Sequence, residues 1–415
     1  MPLQSYIDQP SDWHRPSRCV IIRGWCFSTD GNPVQAIRLR AGKTVLSGVV
    51  HLHRPDVKAA LPEAPHDNTG FEIRGTLPSG RLGLVIEVQL HNGSWTQIFA
   101  RTVTVKRQFL PLWLGGGNWM ELMFFQMPTV MAYPARPLRG EKFPSLPSGI
   151  ARQKFSIVTP SFQQAPYLGE NMRSVLNQIA PTDDYVVQDG GSTDGSVEII
   201  RQHAAKLRAW ASAPDHGQAD AIAKGFAQTT GAPADLMAWL NSDDVYLPGT
   251  LDFVADYFAR HPDVDVVYGH RIVINEQSQE VGRWFLPPHD NAVLRLNDFV
   301  PQETVFWRRR VWDQIGGLDT SFKFALDWDL LLRFEAAGAK IVRVPYFLAC
   351  FRIHAAQKTA AQMASIGQTE ITLLRTRANG RPISSRELET HPVLHRYLRR
   401  SAFIEFLWQL GIRAR

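Results

Sequence analysis

Several short stretches of this 415-residue chain concentrate side chains able to do acid, base or metal chemistry. Asp243 and Asp244 follow the apolar run Leu236 to Leu240. Adjacent carboxylates at the end of a buried strand are costly unless a cation or solvent compensates them. Hard divalent cations such as Mg2+ or Mn2+ take such oxygen ligands together with substrate phosphates. The same pair also suits a solvated turn ahead of Tyr246-Leu247-Pro248-Gly249. Asp189, Ser192 and Asp194 lie in Gln188-Asp189-Gly190-Gly191-Ser192-Thr193-Asp194-Gly195, whose glycines allow tight turns and close backbone approach to a ligand. Asp189 can accept from a ribose or a base N–H, while Ser192, Thr193 or Asp194 can cap the following helix. Asp327 and Asp329 open a helix running to Ala337. The helix dipole favours carboxylates there, and one of the two can serve as general base for an acceptor hydroxyl. His354 is a lone histidine whose ordinary role is structural. Arg352 and Lys358 beside it are cations able to meet a diphosphate. No His-x-x-x-His or Cys-x-x-Cys spacing supports zinc, and there is no G-x-G-x-x-G or P-loop.

The elements that carry these groups alternate. Phe155 to Thr159 reads as a buried strand, Tyr167 to Gln178 as a helix, and Asp184 to Gln188 as a strand ending in Asp189. A helix through Ile200 follows, then a helix Gln218 to Ala227, a strand Asp235 to Leu240, a helix Leu251 to Arg260 and a strand Val264 to Tyr268. This alternation predicts an α/β domain with a mixed, mainly parallel sheet and helices on both faces. Ligands of such sheets bind where the carboxyl ends of the strands emerge. Thr159, Asp189, Asp215, Asp243 and Asp244 all fall at those ends.

Residues 1–107 read differently. Short β-rich runs between turns such as Asn92-Gly93-Ser94 predict an all-β sandwich. His51, His53 and His66 are scattered, and Trp25 and Trp95 suit either core packing or a sugar platform. Residues 108–150 are a Pro-, Met- and aromatic-rich linker. Met120, Met123, Met127 and Met131 recur at helical spacing, which suits domain packing or an interfacial helix. Three cysteines, Cys19, Cys26 and Cys350, are too few for a disulfide framework. The net charge of +6 is uneven: residues 1–110 carry +5, residues 151–369 carry −5 and residues 375–415 carry +6. The acidic middle points away from nucleic acid and toward a cation-recruiting site. The basic tail also holds Phe403, Ile404, Phe406, Leu407, Trp408, Leu410 and Ile412. It suits a terminal helix docked on the protein or peripheral contact with an anionic membrane. Met1 to Arg15 has no apolar leader core and no run is long enough to span a bilayer. The expected location is therefore cytoplasmic, with the inner face of the membrane as the site of any attachment.

From Ser156 onward the pattern resembles the family-2 glycosyltransferases of the GT-A fold. The pieces are Ser156-Ile157-Val158-Thr159-Pro160-Ser161-Phe162, the Asp189 to Gly195 loop, Asp215-His216-Gly217-Gln218-Ala219-Asp220-Ala221 and Trp239-Leu240-Asn241-Ser242-Asp243-Asp244. Pro301-Gln302-Glu303-Thr304, Leu326-Asp327-Trp328-Asp329 and Phe351-Arg352-Ile353-His354 follow in the family's order. The resemblance implies a Rossmann-like nucleotide-binding domain over residues 151–366, ahead of the basic helical extension over 367–415. It implies inverting transfer from a nucleoside-diphosphate sugar to a glycan or lipid-linked hydroxyl. Thr159, Pro160, Ser161, Asp189, Ser192, Asp215, Gly217, Gln218 and Asp243 would then hold the donor, and Asp243, Asp244 and His354 the Mn2+ or Mg2+. Asp327 would be the base, with Asp329 a second carboxylate, and Gln302, Arg352 and Lys358 would meet diphosphate or acceptor. Three positions depart from the pattern. Gly190 replaces a common second acid, Ile222-Ala223 a common Arg-Asn pair, and Leu326 the Glu before the base. The N-terminal region resembles modules that precede some bacterial glycosyltransferases of surface-polysaccharide assembly. A carboxylate-pair glycosidase and a non-catalytic glycan-binding scaffold are the competing readings.

Overall fold

The computed structural model describes residues 3–9, 13, 19–30, 32–42, 44–78, 80–105, 135–141, 143–354 and 366–412. The methionine-rich part of the linker and Lys358 lie outside the described residues. The chain forms two compact units, one within residues 1–119 and one within 120–415.

The first unit is built from β1 (Leu3–Gln9), β2 (Cys19–Ser28), β3 (Val34–Ala41), β4 (Thr44–Leu52), β5 (Gly70–Thr76), β6 (Gly80–Leu90) and β7 (Trp95–Val105). All neighbours are antiparallel, in the order β1-β2-β5-β4-β3-β6-β7. Hydrogen bonding runs through all seven strands in one continuous path. Alternate residues such as Ile37, Leu39, Leu84, Ile86 and Val88 fill its core. The Asn92-Gly93-Ser94 turn forms as predicted, with Gly93 at φ 82°. Trp25 and Trp95 do not share a platform: Trp25 packs with Tyr6 and Phe27, and Trp95 lies under the Arg38 guanidinium at 3.8 Å. Cys26 is a free buried thiol, pushed by burial up to about 12.

The second unit holds β8 (Phe155–Ser161), β9 (Asp184–Asp189), β10 (Ala209–Ser212), β11 (Leu236–Trp239), β12 (Val245–Tyr246), β13 (Val266–Ile274), β14 (Glu280–Trp284), β15 (Phe306–Arg308) and β16 (Ile341–Arg352). The order is β10-β9-β8-β11-β15-β13-β16-β12, with β14 on β13. The strands β10, β9, β8 and β11 are parallel, as are β13 and β16. The remaining pairings, which involve β12, β14 and β15, are antiparallel. The sheet is thus mixed, with its parallel character concentrated in the half that carries the glycine-rich loop.

Both faces of the sheet are covered. Val158 and Val186 enter one apolar cluster, while Ile157, Tyr185 and Val187 of the same strands enter the other. Two buried faces are why these strands read as unbroken apolar runs. The helix Gln218–Ala227 comes especially close, because a Cβ at Gly225 would lie 2.4 Å from Val158 Cγ1. The C-terminal helix Pro392–Gln409 docks on this unit. Leu394, Tyr397 and Ile404 are buried, Ser401 Oγ donates to the Phe285 carbonyl, and Trp408 packs 5.1 Å from Phe285. Among the described residues no helix is long and apolar enough to cross a membrane.

Gly225→Ala tests the close packing. A methyl there must push β8 or its own helix aside, and overpacking of this kind costs about 1–3 kcal/mol. The expected outcome is a melting temperature lowered by several degrees in a thermal melt.

Candidate functional site

The parallel strands deliver their ends side by side, with Ser161 of β8 opposite Asp189 of β9. Asp189 is buried and accepts from Gly191 N at 3.1 Å, Ser192 N at 2.8 Å, Ser192 Oγ at 2.6 Å and Ser212 Oγ at 2.6 Å. Asp189, expected to meet a ribose or base N–H, thus has both oxygens engaged in shaping its own loop. Ser192 is spent in the same way, since its Oγ also accepts from Gln163 N at 2.8 Å. Asp194 accepts from Ala165 N at 2.9 Å and Ser196 Oγ at 2.6 Å, so it ties two helix starts together. The helix Ser196–His203 itself begins after Gly195 at φ 101°, without the side-chain cap expected from Ser192 or Thr193.

Thr159, Pro160 and Ser161 are buried too. Thr159 Oγ1 meets Tyr185 Oη at 3.0 Å and Asn171 Oδ1 at 3.3 Å, which makes it a core contact. The side chain that does face outward is Phe162, 61% exposed. Asp215 stands across from it, partly exposed, with Oδ1 accepting from Gly217 N at 2.8 Å. Gly217 sits at φ 106°, a conformation that favours glycine.

The Asn241–Asp244 loop is held from beneath. Asn171 Nδ2 donates to the carbonyls of Asn241 at 2.7 Å and Asp244 at 2.8 Å. Arg352 Nε donates to the carbonyl of Asp243 at 2.8 Å. The rest of the fully buried Arg352 guanidinium is occupied by Asn275 O, Ser278 Oγ and Glu170 Oε2 at 3.0, 2.9 and 2.7 Å. Arg352 is thus a buttress and does not offer itself to a diphosphate. An amide relay runs alongside: Gln218 Nε2 donates to Asn241 Oδ1 at 2.7 Å, Asn241 Nδ2 to Gln302 Oε1 at 3.0 Å, and Gln302 Nε2 to Trp239 O at 2.9 Å. Gln302, expected to meet diphosphate or acceptor, is buried with both ends of its amide engaged in this relay.

The two carboxylates of the loop part ways. Asp243 is 18% exposed at its side chain, and its Oδ2 lies 3.0 Å from His354 Nε2. Asp244 is buried and its Oδ1 accepts from Arg352 N at 3.0 Å. Burial first, and then the Asp243 and Glu303 carboxylates, push the Asp244 carboxyl well above the usual range. The expected trio of Asp243, Asp244 and His354 is therefore a pair. Among the described residues no three His, Cys, Asp or Glu side chains converge as a metal cage. One carboxylate with a neighbouring imidazole still fits a hard cation whose shell is completed by phosphate and water oxygens.

The helix Leu326–Ala336 presents Asp327 partly exposed in its first turn, with Oδ1 accepting from Trp328 N at 3.0 Å. Asp329 is buried between Arg333 and Arg377, each at 3.5 Å, and burial raises its carboxyl. It is a core acid and not a partner of Asp327. Three further groups surround the start of this helix. Trp328 Nε1 donates to Leu294 O at 2.8 Å. Glu370 accepts from Lys323 N, Phe324 N and Ala325 N at 2.7, 2.8 and 2.8 Å. Asp298 is pushed well above the usual carboxylate range by burial and by the charge of Asp327. Asn171, Glu370 and Asp298 have no motif of their own, whereas Phe162 and Asn241 lie inside recognisable ones.

Residues 156–316 match Glycosyl transferase family 2. These residues are a family-2 glycosyltransferase domain. The PGL/p-HBAD biosynthesis glycosyltransferase of Mycobacterium bovis is 28% identical over 198 residues, 47% of this chain and 74% of the relative. The O-antigen biosynthesis protein RfbC of Myxococcus xanthus is 27% identical over 227 residues, 52% of this chain and 18% of that protein. Among solved structures, residues 1–349 of S. aureus TarS in complex with UDP-GlcNAc align with a TM-score of 0.45 at 16% identity, covering 62% of this chain and 76% of that one. The mannosyltransferase PcManGT of Pyrobaculum calidifontis, in complex with GDP-Man and Mn2+, aligns at 0.44 and 15%, covering 67% and 79%. The chain is a glycosyltransferase with relatives in surface-polysaccharide synthesis.

Glu370→Gln tests the support beneath Asp327. An amide has one accepting oxygen for three N–H groups and turns an NH2 toward them. Turnover should fall by about tenfold or more with donor KM within about twofold, as expected when a transition-state group is displaced and binding is kept.

Proposed function

We propose that this enzyme transfers a sugar, with inversion, from a nucleoside diphosphate to a hydroxyl of a glycan or lipid-linked acceptor in bacterial surface-polysaccharide assembly. The observation that carries the reading is the separation of roles among its acids: Asp243 partly exposed beside His354 at a strand-end loop, and Asp327 partly exposed at a helix start. Asp243, with His354 beside it, would hold a divalent cation, Mn2+ or Mg2+. When bound, that cation supplies charge neutralisation for the departing diphosphate. Asp327 takes the acceptor proton as the acceptor oxygen attacks the anomeric carbon from the face opposite the leaving diphosphate. A single displacement of this kind inverts the anomeric configuration. Phe162 lies open where the base of the donor would stack.

The division of labour we infer is a catalytic segment 151–366, an accessory β unit 1–107, a linker 108–150 and a basic helical extension 367–415. The extension has a buried face that docks and an outer face with Arg396, Arg399, Arg400, Phe403 and Leu410 exposed. That outer face suits peripheral contact with an anionic membrane, where lipid-linked acceptors reside. Such a location is on the cytoplasmic side.

Asp327→Asn should lower transfer by roughly 10²–10⁴-fold while donor binding, followed by thermal shift, is retained. Turnover near that of the unaltered enzyme would remove the base assignment. EDTA should abolish transfer and added Mn2+ or Mg2+ restore it; full activity in chelator would refute the metal role.

A further inference from the structure

Gly190 is buried where two loops meet. A Cβ built there would lie 3.1 Å from Asp215 Oδ2 and 3.2 Å from Phe162 Cδ2. A carboxylate from one loop and an aromatic ring from another thus close on the same glycine. The ring is open to solvent. The carboxylate is oriented by the Gly217 N–H, which Oδ1 accepts at 2.8 Å. Among the described residues no hydrogen bond is made to Oδ2. Asp189, the other acid of this corner, has both oxygens committed to its own loop and to Ser212. The result is an open aromatic face beside one accepting oxygen. A flat heteroaromatic ring stacks on such a face. One carboxylate oxygen accepts one N–H from its edge.

We propose that Asp215 selects the nucleobase of the donor, accepting the ring N–H of uracil, thymine or guanine as the base lies on the exposed ring of Phe162. This rests on the nucleotide-sugar reading above. Uracil, thymine and guanine each carry a hydrogen on the ring nitrogen at the middle of the pairing edge. Cytosine and adenine carry a lone pair there, which a carboxylate repels. Gly190 is then what lets the acid and the ring come together, and a side chain at 190 would push one of them aside.

The test is calorimetric titration of the full chain, with Mn2+ present, against UDP, TDP, GDP, CDP and ADP. At least one of the first three should bind about tenfold or more tightly than CDP and ADP. Asp215→Asn keeps an oxygen for the Gly217 N–H and turns an NH2 donor toward the base. The preferred nucleotide should then lose roughly ten- to hundredfold in affinity, the range of a charge-assisted hydrogen bond. CDP or ADP should bind unchanged or tighter. A purely structural role for Asp215 would weaken all five together. Gly190→Ala should weaken the preferred nucleotide without lowering the melting temperature. Equal affinity for all five nucleotides, a preference for CDP or ADP, or an unchanged preference in Asp215→Asn would overturn this assignment and leave the donor reading standing. Binding of none of the five would overturn both.

Discussion

Arg352 places a guanidinium where no water reaches, and the shape of the site follows from how that charge is satisfied. A buried cation persists only when its donors are met, and removing a partner of a buried pair costs about 3–5 kcal/mol. Here the partners are Glu170, Ser278 and the carbonyls of Asn275 and Asp243. The same residue's backbone N–H binds the Asp244 carboxylate. One residue of β16 therefore grips both acids of the Asn241–Asp244 loop, one by its carbonyl and the other by its side chain. Asn171 takes the carbonyls on the other side. The loop has few ways to move, and Asp243 is left as its partly exposed carboxylate.

The same physical device appears twice. Asp243 and Asp244 are neighbours in sequence, as are Asp327 and Asp329 within one helical turn. In each pair one acid is partly exposed and the other is buried and structurally engaged. Burial disfavours the charged form, so it pushes the inner carboxyl of each pair upward. Two identical side chains a residue or two apart thereby acquire different chemistry from their surroundings alone. For the helix the separation is geometric, since residues two apart do not share a face.

This also explains which parts of the site were legible in the sequence. The parallel half of the sheet could be read because strands covered on both faces are unbroken apolar runs, so the polar residues that end them stand out. Asp243 stood out on that ground, and Asp327 from the motif around it. Residue type does not reveal direction, however. Arg352, Gln302 and Asp244 carry groups that suit a diphosphate or a metal, yet each is turned inward to satisfy backbone. Glu370 was out of reach for another reason: it supports the start of the Asp327 helix from more than forty residues away in the chain, and no local pattern marks such a partner. The antiparallel pairings around β15 were missed likewise, because β15 is short and its register depends on distant strands.

The central claim is that one carboxylate of the Asp243–Asp244 pair faces the reaction while the other holds the fold. The most direct measurement is Mn2+ titration, by electron paramagnetic resonance, of the unaltered enzyme, Asp243→Asn and Asp244→Asn, each with saturating nucleoside diphosphate. Asn at 244 keeps an oxygen for the Arg352 N–H, so the folded variant should bind Mn2+ nearly as tightly as the unaltered enzyme. Asp243→Asn should lose most of that affinity. Loss of Mn2+ from a folded Asp244→Asn protein, with binding kept in Asp243→Asn, would contradict the account.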